Sequence, residues 1–247
     1  MSPKIQIVAD SAALARAGAE EFIHAAARAV AERGTFSVAL SGGSTPKQMF
    51  SLLVDDPRVP WDKIQFFWGD ERHVGPDHPD SNFRMASETM LSKAPVSDTQ
   101  VWRIRGERPD AGQAAVEYEA VLRNNFAADS GAVPVLDLVM LGMGPEGHTA
   151  SLFPGTKALS ENTRLVVSNW VGKLYTDRIT MTAPVLNNAR KILFLIHGED
   201  KALALKGVLE GPVEPDQLPA QMLLTSGAKC LWLIDKTAGK MLSKANI

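Results

Sequence analysis

The sequence has one cysteine, no run of three basic residues and no long apolar stretch, and each lack closes off a class of protein. Cys230 alone can form neither an internal disulfide nor, by itself, a zinc site. Within Cys230-Leu231-Trp232-Leu233-Ile234 it reads as a buried strand thiol. Lysine and arginine total 26 against 28 aspartate and glutamate, a formal net charge of −2. A nucleic-acid binder ordinarily carries a basic stripe or patch, and none is legible here. An anionic small molecule stays open, because a local pocket needs only a few cations. No segment approaches the ~18 uninterrupted apolar residues of a spanning helix. The opening Ser2-Pro3-Lys4-Ile5-Gln6-Ile7-Val8 lacks the apolar core of a signal peptide, so a cytoplasmic location is expected. No histidines stand at ligand spacing such as H-x-x-x-H, so no required metal is expected.

What is present is an ordinary globular composition over 247 residues, 45% hydrophobic and 22% charged. That length can bury one large α/β core. Strand-like runs alternate with helical stretches. Ile5–Val8 reads as a strand, and Asp10 or Ser11 caps a long alanine-rich helix that stops at Gly34. Phe36–Leu40 and Ile64–Trp68 are strands, with a helix after the first led by Thr45 as cap and Pro46 as first helical residue. Helices follow over about 82–91 and 111–126. Leu136–Leu141, Leu165–Val167, Arg178–Met181, Ile192–Ile196 and Leu231–Ile234 are further strand candidates, with a helix near 201–209. Strands apolar on both faces and separated by helices predict a parallel sheet with helices on both faces. With no linker or internal repeat, residues 1–247 read as a single domain.

In open α/β sheets, ligands gather beyond the carboxyl ends of the strands, and three such ends carry polar residues. Ser41-Gly42-Gly43-Ser44-Thr45 offers turn amides, hydroxyls and a helix N-terminus, a set that holds an anion without a full charge. An ordinary capped glycine turn is the alternative, and the Walker spacing is absent. Asp70-Glu71-Arg72 follows an aromatic strand. Asp70 suits a sugar hydroxyl or a proton, Arg72 suits a phosphate, and Glu71 reads as the start of a solvated loop. Gly142-Met143-Gly144-Pro145-Glu146-Gly147 matches G-x-G-x-x-G literally, but Pro154-Gly155 follows before a crossover helix could form, which excludes a dinucleotide site. What remains is a glycine turn presenting His148 beside Glu146. Imidazole moves protons near neutral pH, and a carboxylate can fix its tautomer. His24, His73, His78 and His197 stand in less suggestive places. Arg178 and Lys206 are two further cations that, taken singly, could be surface charges.

Taken together, Leu40-Ser41-Gly42-Gly43-Ser44-Thr45-Pro46, Gly69-Asp70-Glu71-Arg72 and the run from Gly142 through His148 to Gly155 strongly resemble the 6-phosphogluconolactonases. That family shares a superfamily with the glucosamine-6-phosphate isomerases/deaminases. Arg178-Ile179-Thr180-Met181-Thr182-Ala183-Pro184-Val185-Leu186-Asn187 and the Gly198, Lys201, Lys206 stretch extend the match, which runs from about residue 36 to 209. The resemblance implies a modified Rossmann-like fold, no nucleotide cofactor, and hydrolysis of 6-phosphoglucono-1,5-lactone to 6-phosphogluconate in the oxidative pentose phosphate pathway. It implies that His148 is catalytic and that Ser41–Thr45, Arg72, Arg178 and Lys206 serve the phosphosugar. One departure is Glu146, where the family usually has Asp; the extra methylene keeps the charge and shifts the carboxylate. The deaminase branch is one rival, but Phe153 stands where that branch has its ring-opening glutamate. A non-catalytic phosphosugar sensor is the other, and no spare segment here supplies a DNA-reading module.

Overall fold

The computed structural model describes residues 4–127, 131–224 and 229–243. The first strand, β1 (Lys4–Val8), leads into α1 (Ser11–Arg33), where Asp10 accepts a hydrogen bond from the Ala13 amide at 2.8 Å. Leu14, Phe22, Ile23, Ala26 and Ala29 recur at helical spacing and form the buried stripe of α1. At its end Gly34 takes the left-handed conformation, with φ of 77°, and its amide closes on the Val30 carbonyl.

Strands β2 (Phe36–Leu40), β3 (Ile64–Trp68), β5 (Leu138–Leu141), β8 (Lys191–Ile196) and β9 (Lys229–Asp235) join β1 in a six-stranded sheet ordered β1-β9-β8-β5-β2-β3. Every pairing in it is parallel. All five residues of β2 and all four of β5 are buried, as strands covered on both faces must be. Helices flank the sheet: α1 packs on α2 (Ser44–Leu53) and against β2, β8 and β9. α4 (Ala111–Asn125) supplies Tyr118, whose hydroxyl bonds both the amide and the carbonyl of Trp68, at 2.8 and 3.2 Å. The α/β expectation stands, and the chain reverses its lateral direction between β2 and β5, which creates a crevice at their carboxyl ends.

A second sheet departs from the purely parallel expectation. Residues β4 (Asp70–Arg72), β6 (Val166–Val171) and β7 (Thr176–Met181) form an antiparallel sheet ordered β4-β7-β6. The chain enters it at Gly69, whose amide bonds the Leu40 carbonyl at 3.0 Å while its carbonyl accepts from Met181 N–H at 2.8 Å. Thus Asp70-Glu71-Arg72 is a strand and not a loop. Glu71 is 2% exposed, not solvated: its carboxylate accepts from the amides of Arg72, Asn82 and Phe83 and from the Ser81 hydroxyl. It therefore caps α3 (Asn82–Ala86), although burial pushes its pKa up against those donors. The helix expected over 82–91 changes pitch after Ala86 into a wider turn over Ser87–Leu91. At α2 the helix begins with Ser44 and has Gly43 as its cap, so Thr45 lies inside the helix and not at its boundary.

Candidate active site

The ends of several strands converge on one cleft of about 330 Å³. From the end of β2 comes the Ser41–Pro46 segment, from β3 and β4 come Asp70 and Arg72, and from β5 come Gly142–Pro145 and His148. The end of β8 adds His197 and Lys201. Of the residues singled out in the sequence, Ser41, Gly42, Gly43, Ser44, Thr45, Asp70, Arg72 and His148 line this cleft. Glu146 stands behind His148, and Arg178 sits directly opposite Arg72 in the β4–β7 register.

Like Glu146 and Arg178, Lys206 does not line the cleft: it lies exposed inside α5 (Ala202–Glu210), whereas Lys201 at the N-terminal edge of that helix does line it. The correction has a simple cause. A residue just ahead of a helix that leaves a strand end stands at the ligand face, and five positions farther along the helix has carried the chain ~7 Å away from that face.

His148 is held from three sides. Its Nδ1 lies 3.0 Å from Glu146 Oε2. Its ring stacks on Phe153, with centroids 4.0 Å apart and planes 21° apart. Beneath the pair runs Gly144, where a Cβ would sit 2.0 Å from His148 Nδ1 and 2.5 Å from Glu146 Oε2, so only glycine leaves room for them. With Nδ1 engaged, Nε2 is the nitrogen left for a ligand. Burial, then the charges of Lys201, Arg178 and Arg72, hold the imidazole pKa down at about 4 against the opposing pull of Asp70. His148 is therefore neutral at pH 7 and able to accept a proton.

Asp70 is 7% exposed, and its carboxylate accepts from the Ser151 hydroxyl at 2.6 Å and, more weakly, from Asn82 Nδ2 at 3.4 Å. Asn82 also bonds the Asp70 carbonyl at 3.0 Å, which ties α3 to β4. The same Asn82 lies so close to Gly42 that a Cβ there would sit 1.8 Å from its Oδ1. The glycine at 42 thus serves a close approach between the β2 loop and α3.

The cations are the unusual feature. Among the described residues neither Arg72 nor Arg178 has a carboxylate within ion-pair reach, and the Nε of each is buried without a partner. Arg72 spends one donor on the Asp80 carbonyl at 2.9 Å. Burial, together with the charge of Arg72, depresses the pKa of Arg178 below its usual value. Two like charges held together partly out of water favour a dianion between them. At the start of α2 no side chain caps the helix, and the Ser44 and Thr45 amides add partial positive charge there.

Lys201, His197, Asn82 and Ser151 were not among the site residues expected from the sequence. For the first two the strand-end rule would have sufficed, since they follow β8 as Ser41 follows β2. Nothing local marks Asn82 or Ser151, which reach Asp70 from 12 and 81 positions away. Among the described residues no three His, Cys, Asp or Glu side chains cluster as a metal site would require, and no helix is long and apolar enough to cross a membrane.

The sequence profile of the family described as glucosamine-6-phosphate isomerases/6-phosphogluconolactonase matches residues 9–232. A 6-phosphogluconolactonase of Synechocystis sp. is 41% identical over 216 residues, covering 87% of this chain and 88% of the relative. One of Nostoc sp. is 37% identical, covering 98% of this chain and all of the relative. Among solved structures, 6-phosphogluconolactonase from Trypanosoma cruzi superposes with a TM-score of 0.88 at 28% identity, over 98% of both chains. A monomeric glucosamine-6-phosphate deaminase superposes at 0.81 with 20% identity, covering 97% of this chain and all of that one, a likeness of fold alone.

Proposed function

Because the chain belongs to the glucosamine-6-phosphate isomerase/6-phosphogluconolactonase family, we infer that it hydrolyses 6-phosphoglucono-1,5-lactone to 6-phosphogluconate, the lactone-opening step of the oxidative pentose phosphate pathway. The observation that carries the reading is a neutral, carboxylate-anchored imidazole on the wall of a cleft beside which Arg72 and Arg178 face each other with no ion-paired carboxylate among the described residues. The phosphate dianion sits among Arg72, Arg178, Lys201 and the Ser44 and Thr45 amides. That anchors the lactone carbonyl beside His148. Nε2 takes a proton from a water molecule as the water oxygen attacks the carbonyl carbon, forming a tetrahedral oxyanion. Collapse of that intermediate breaks the ring C–O bond, and the imidazolium returns the proton to the departing ring oxygen. The net change is addition of one water across the ester.

The oxyanion needs a donor. The Gly144 and Gly147 amides are engaged within their own turn, with the His148 and Gly144 carbonyls, so neither is free to supply it. Asp70, fixed by Ser151 and Asn82, serves to orient a sugar hydroxyl. Against a deaminase reading stands Phe153: it stacks on His148 as a hydrocarbon face and has no proton to give in ring opening.

The test is an assay on freshly generated 6-phosphogluconolactone, corrected for spontaneous hydrolysis. Wild-type protein accelerates it, and His148→Asn lowers kcat by roughly 10²–10⁴-fold while binding 6-phosphogluconate almost unchanged. A folded wild-type protein without that activity, or one that instead releases ammonia from glucosamine-6-phosphate, contradicts the reading.

A further inference from the structure

Behind the cleft lies a second, smaller hollow of about 290 Å³, bounded by Glu146, Phe153 and Pro154 on one side and Val171, Gly172 and Lys173 on the other. Lys173 sits in the turn that joins β6 to β7. Its Nζ pairs with Glu146 Oε1, while the other oxygen of the same carboxylate, Oε2, faces His148 Nδ1 at 3.0 Å. The ammonium also lies 5.1 Å from the centroid of Phe153, the ring on which His148 stacks. One carboxylate thus bridges an ammonium and an imidazole, and one aromatic ring lies against both of those partners. Lys173 itself is half exposed and borders the hollow rather than the cleft, so it does not touch a ligand held beside His148.

Resting on the lactonase reading, we propose that Lys173 is a positioning residue for the reaction: by holding Glu146 Oε1 it fixes the carboxylate so that Oε2 keeps His148 in the tautomer and orientation that present Nε2 to the cleft. Without that second anchor, a glutamate with three rotatable bonds has other staggered conformations to visit, and Nδ1 loses its partner for part of the time. The length of residue 146 matters as well. An aspartate carboxylate is one methylene shorter, so to meet both partners from the same backbone Lys173 or His148 would have to shift toward it. Charge supplies a readout separate from geometry. The groups bearing on His148 are Asp70 and Glu146, which favour its protonation, and Arg72, Arg178 and Lys201, which oppose it. Lys173 offsets part of the Glu146 charge, so its loss strengthens the pull of the carboxylate and raises the pH at which His148 protonates.

The test combines kinetics with a titration that needs no substrate. Lys173→Met lowers kcat about three- to tenfold with KM for the phosphorylated lactone within about twofold, the split expected when positioning and not binding is lost. The NMR titration midpoint of the His148 ring rises by about half a pH unit or more in the same variant. Lys173→Arg restores most of kcat. In a Glu146→Gln background, where the carboxylate is gone, adding Lys173→Met changes neither kcat nor the midpoint further. Should Lys173→Met raise KM instead, Lys173 contacts substrate and the proposal fails. It fails equally if its effect persists undiminished beside Glu146→Gln, or if wild-type kinetics and midpoint are both retained. The titration arm separates this from the lactonase reading: a protein inactive on the lactone in every form can still show or lack the coupled shift.

Discussion

The two ends of the parallel sheet both carry cavities rich in cations, yet they are chemically opposite. At the amino ends lies the larger hollow, about 550 Å³, lined by Lys4, Arg28, Arg33, Arg190 and Lys191. Four of those five are already paired: Lys191 with Glu21, Arg28 with Glu32, Arg33 with Glu32 and Asp137, and Arg190 with Asp137 at 3.3 Å. At the carboxyl ends the cleft is smaller, about 330 Å³; Lys201 there pairs with its neighbour Asp200 at 2.8 Å, but Arg72 faces Arg178 with no ion-paired carboxylate for either among the described residues. The difference teaches that an anion site is marked by unspent charge and not by the number of cations or the size of the hollow. Paired surface charges contribute ~0–1 kcal/mol and attract little more. Unpaired, partly buried guanidiniums are costly to the free protein and regain that cost when a dianion arrives.

The comparison can be broken first at the helix that leaves β8. Lys201→Ala raises KM for the phosphorylated lactone at least about tenfold, the loss expected of one charge-assisted contact of ~1.5–3 kcal/mol. Lys206→Ala, five positions along the same chain and outside the cleft, changes KM less than about twofold, within the range of an ordinary surface substitution. Steady-state kinetics on the two variants checks this, and equal effects would put the phosphate elsewhere.

A smaller effect sharpens the comparison through pH. In the free protein burial and three cations hold His148 at about 4, so above that pH the ring is neutral. A bound phosphate dianion neutralises Arg72, Arg178 and Lys201 and so removes most of the charge that opposes protonation. The NMR titration midpoint of His148 therefore moves up when 6-phosphogluconate binds, toward the range where a general base works best near neutrality. An unchanged or lowered midpoint would mean that the phosphate does not sit among those cations.

Much of the fold was legible because local chemistry decided it. Asp10 ahead of α1 and Gly34 behind it mark the helix ends, and the unbroken apolar runs of β5 and of residues 192–196 in β8 announce a doubly covered sheet. The antiparallel sheet was harder to read. In β6, Ser168 and Trp170 are exposed while Asn169 is buried, so the strand mixes polar and apolar residues on both faces, and β4 is only three residues long. Glu71 misled because a charged residue after a strand usually meets water, whereas here the amides at the start of α3 receive it. At the site, the glycine turns and His148 stood out through their place after apolar strands. The partners that tune them did not. Ser151 meets Asp70 across 81 positions, and Lys173, in the β6–β7 turn, meets Glu146 in the loop after β5, pairings that only the folded chain brings together.

The most direct test of unspent charge compares the two cavities with two substrates. Arg178→Ala and Arg190→Ala each remove one guanidinium, the first beside the cleft and the second at the opposite end of the sheet. Turnover is measured on 6-phosphogluconolactone and on unphosphorylated gluconolactone, which has no phosphate to lose. The account predicts that Arg178→Ala raises KM for the phosphorylated lactone by at least about tenfold and leaves the unphosphorylated one nearly unchanged. Arg190→Ala leaves both within about twofold. Equal losses on both substrates for Arg178→Ala, or a selective loss for Arg190→Ala, would contradict it.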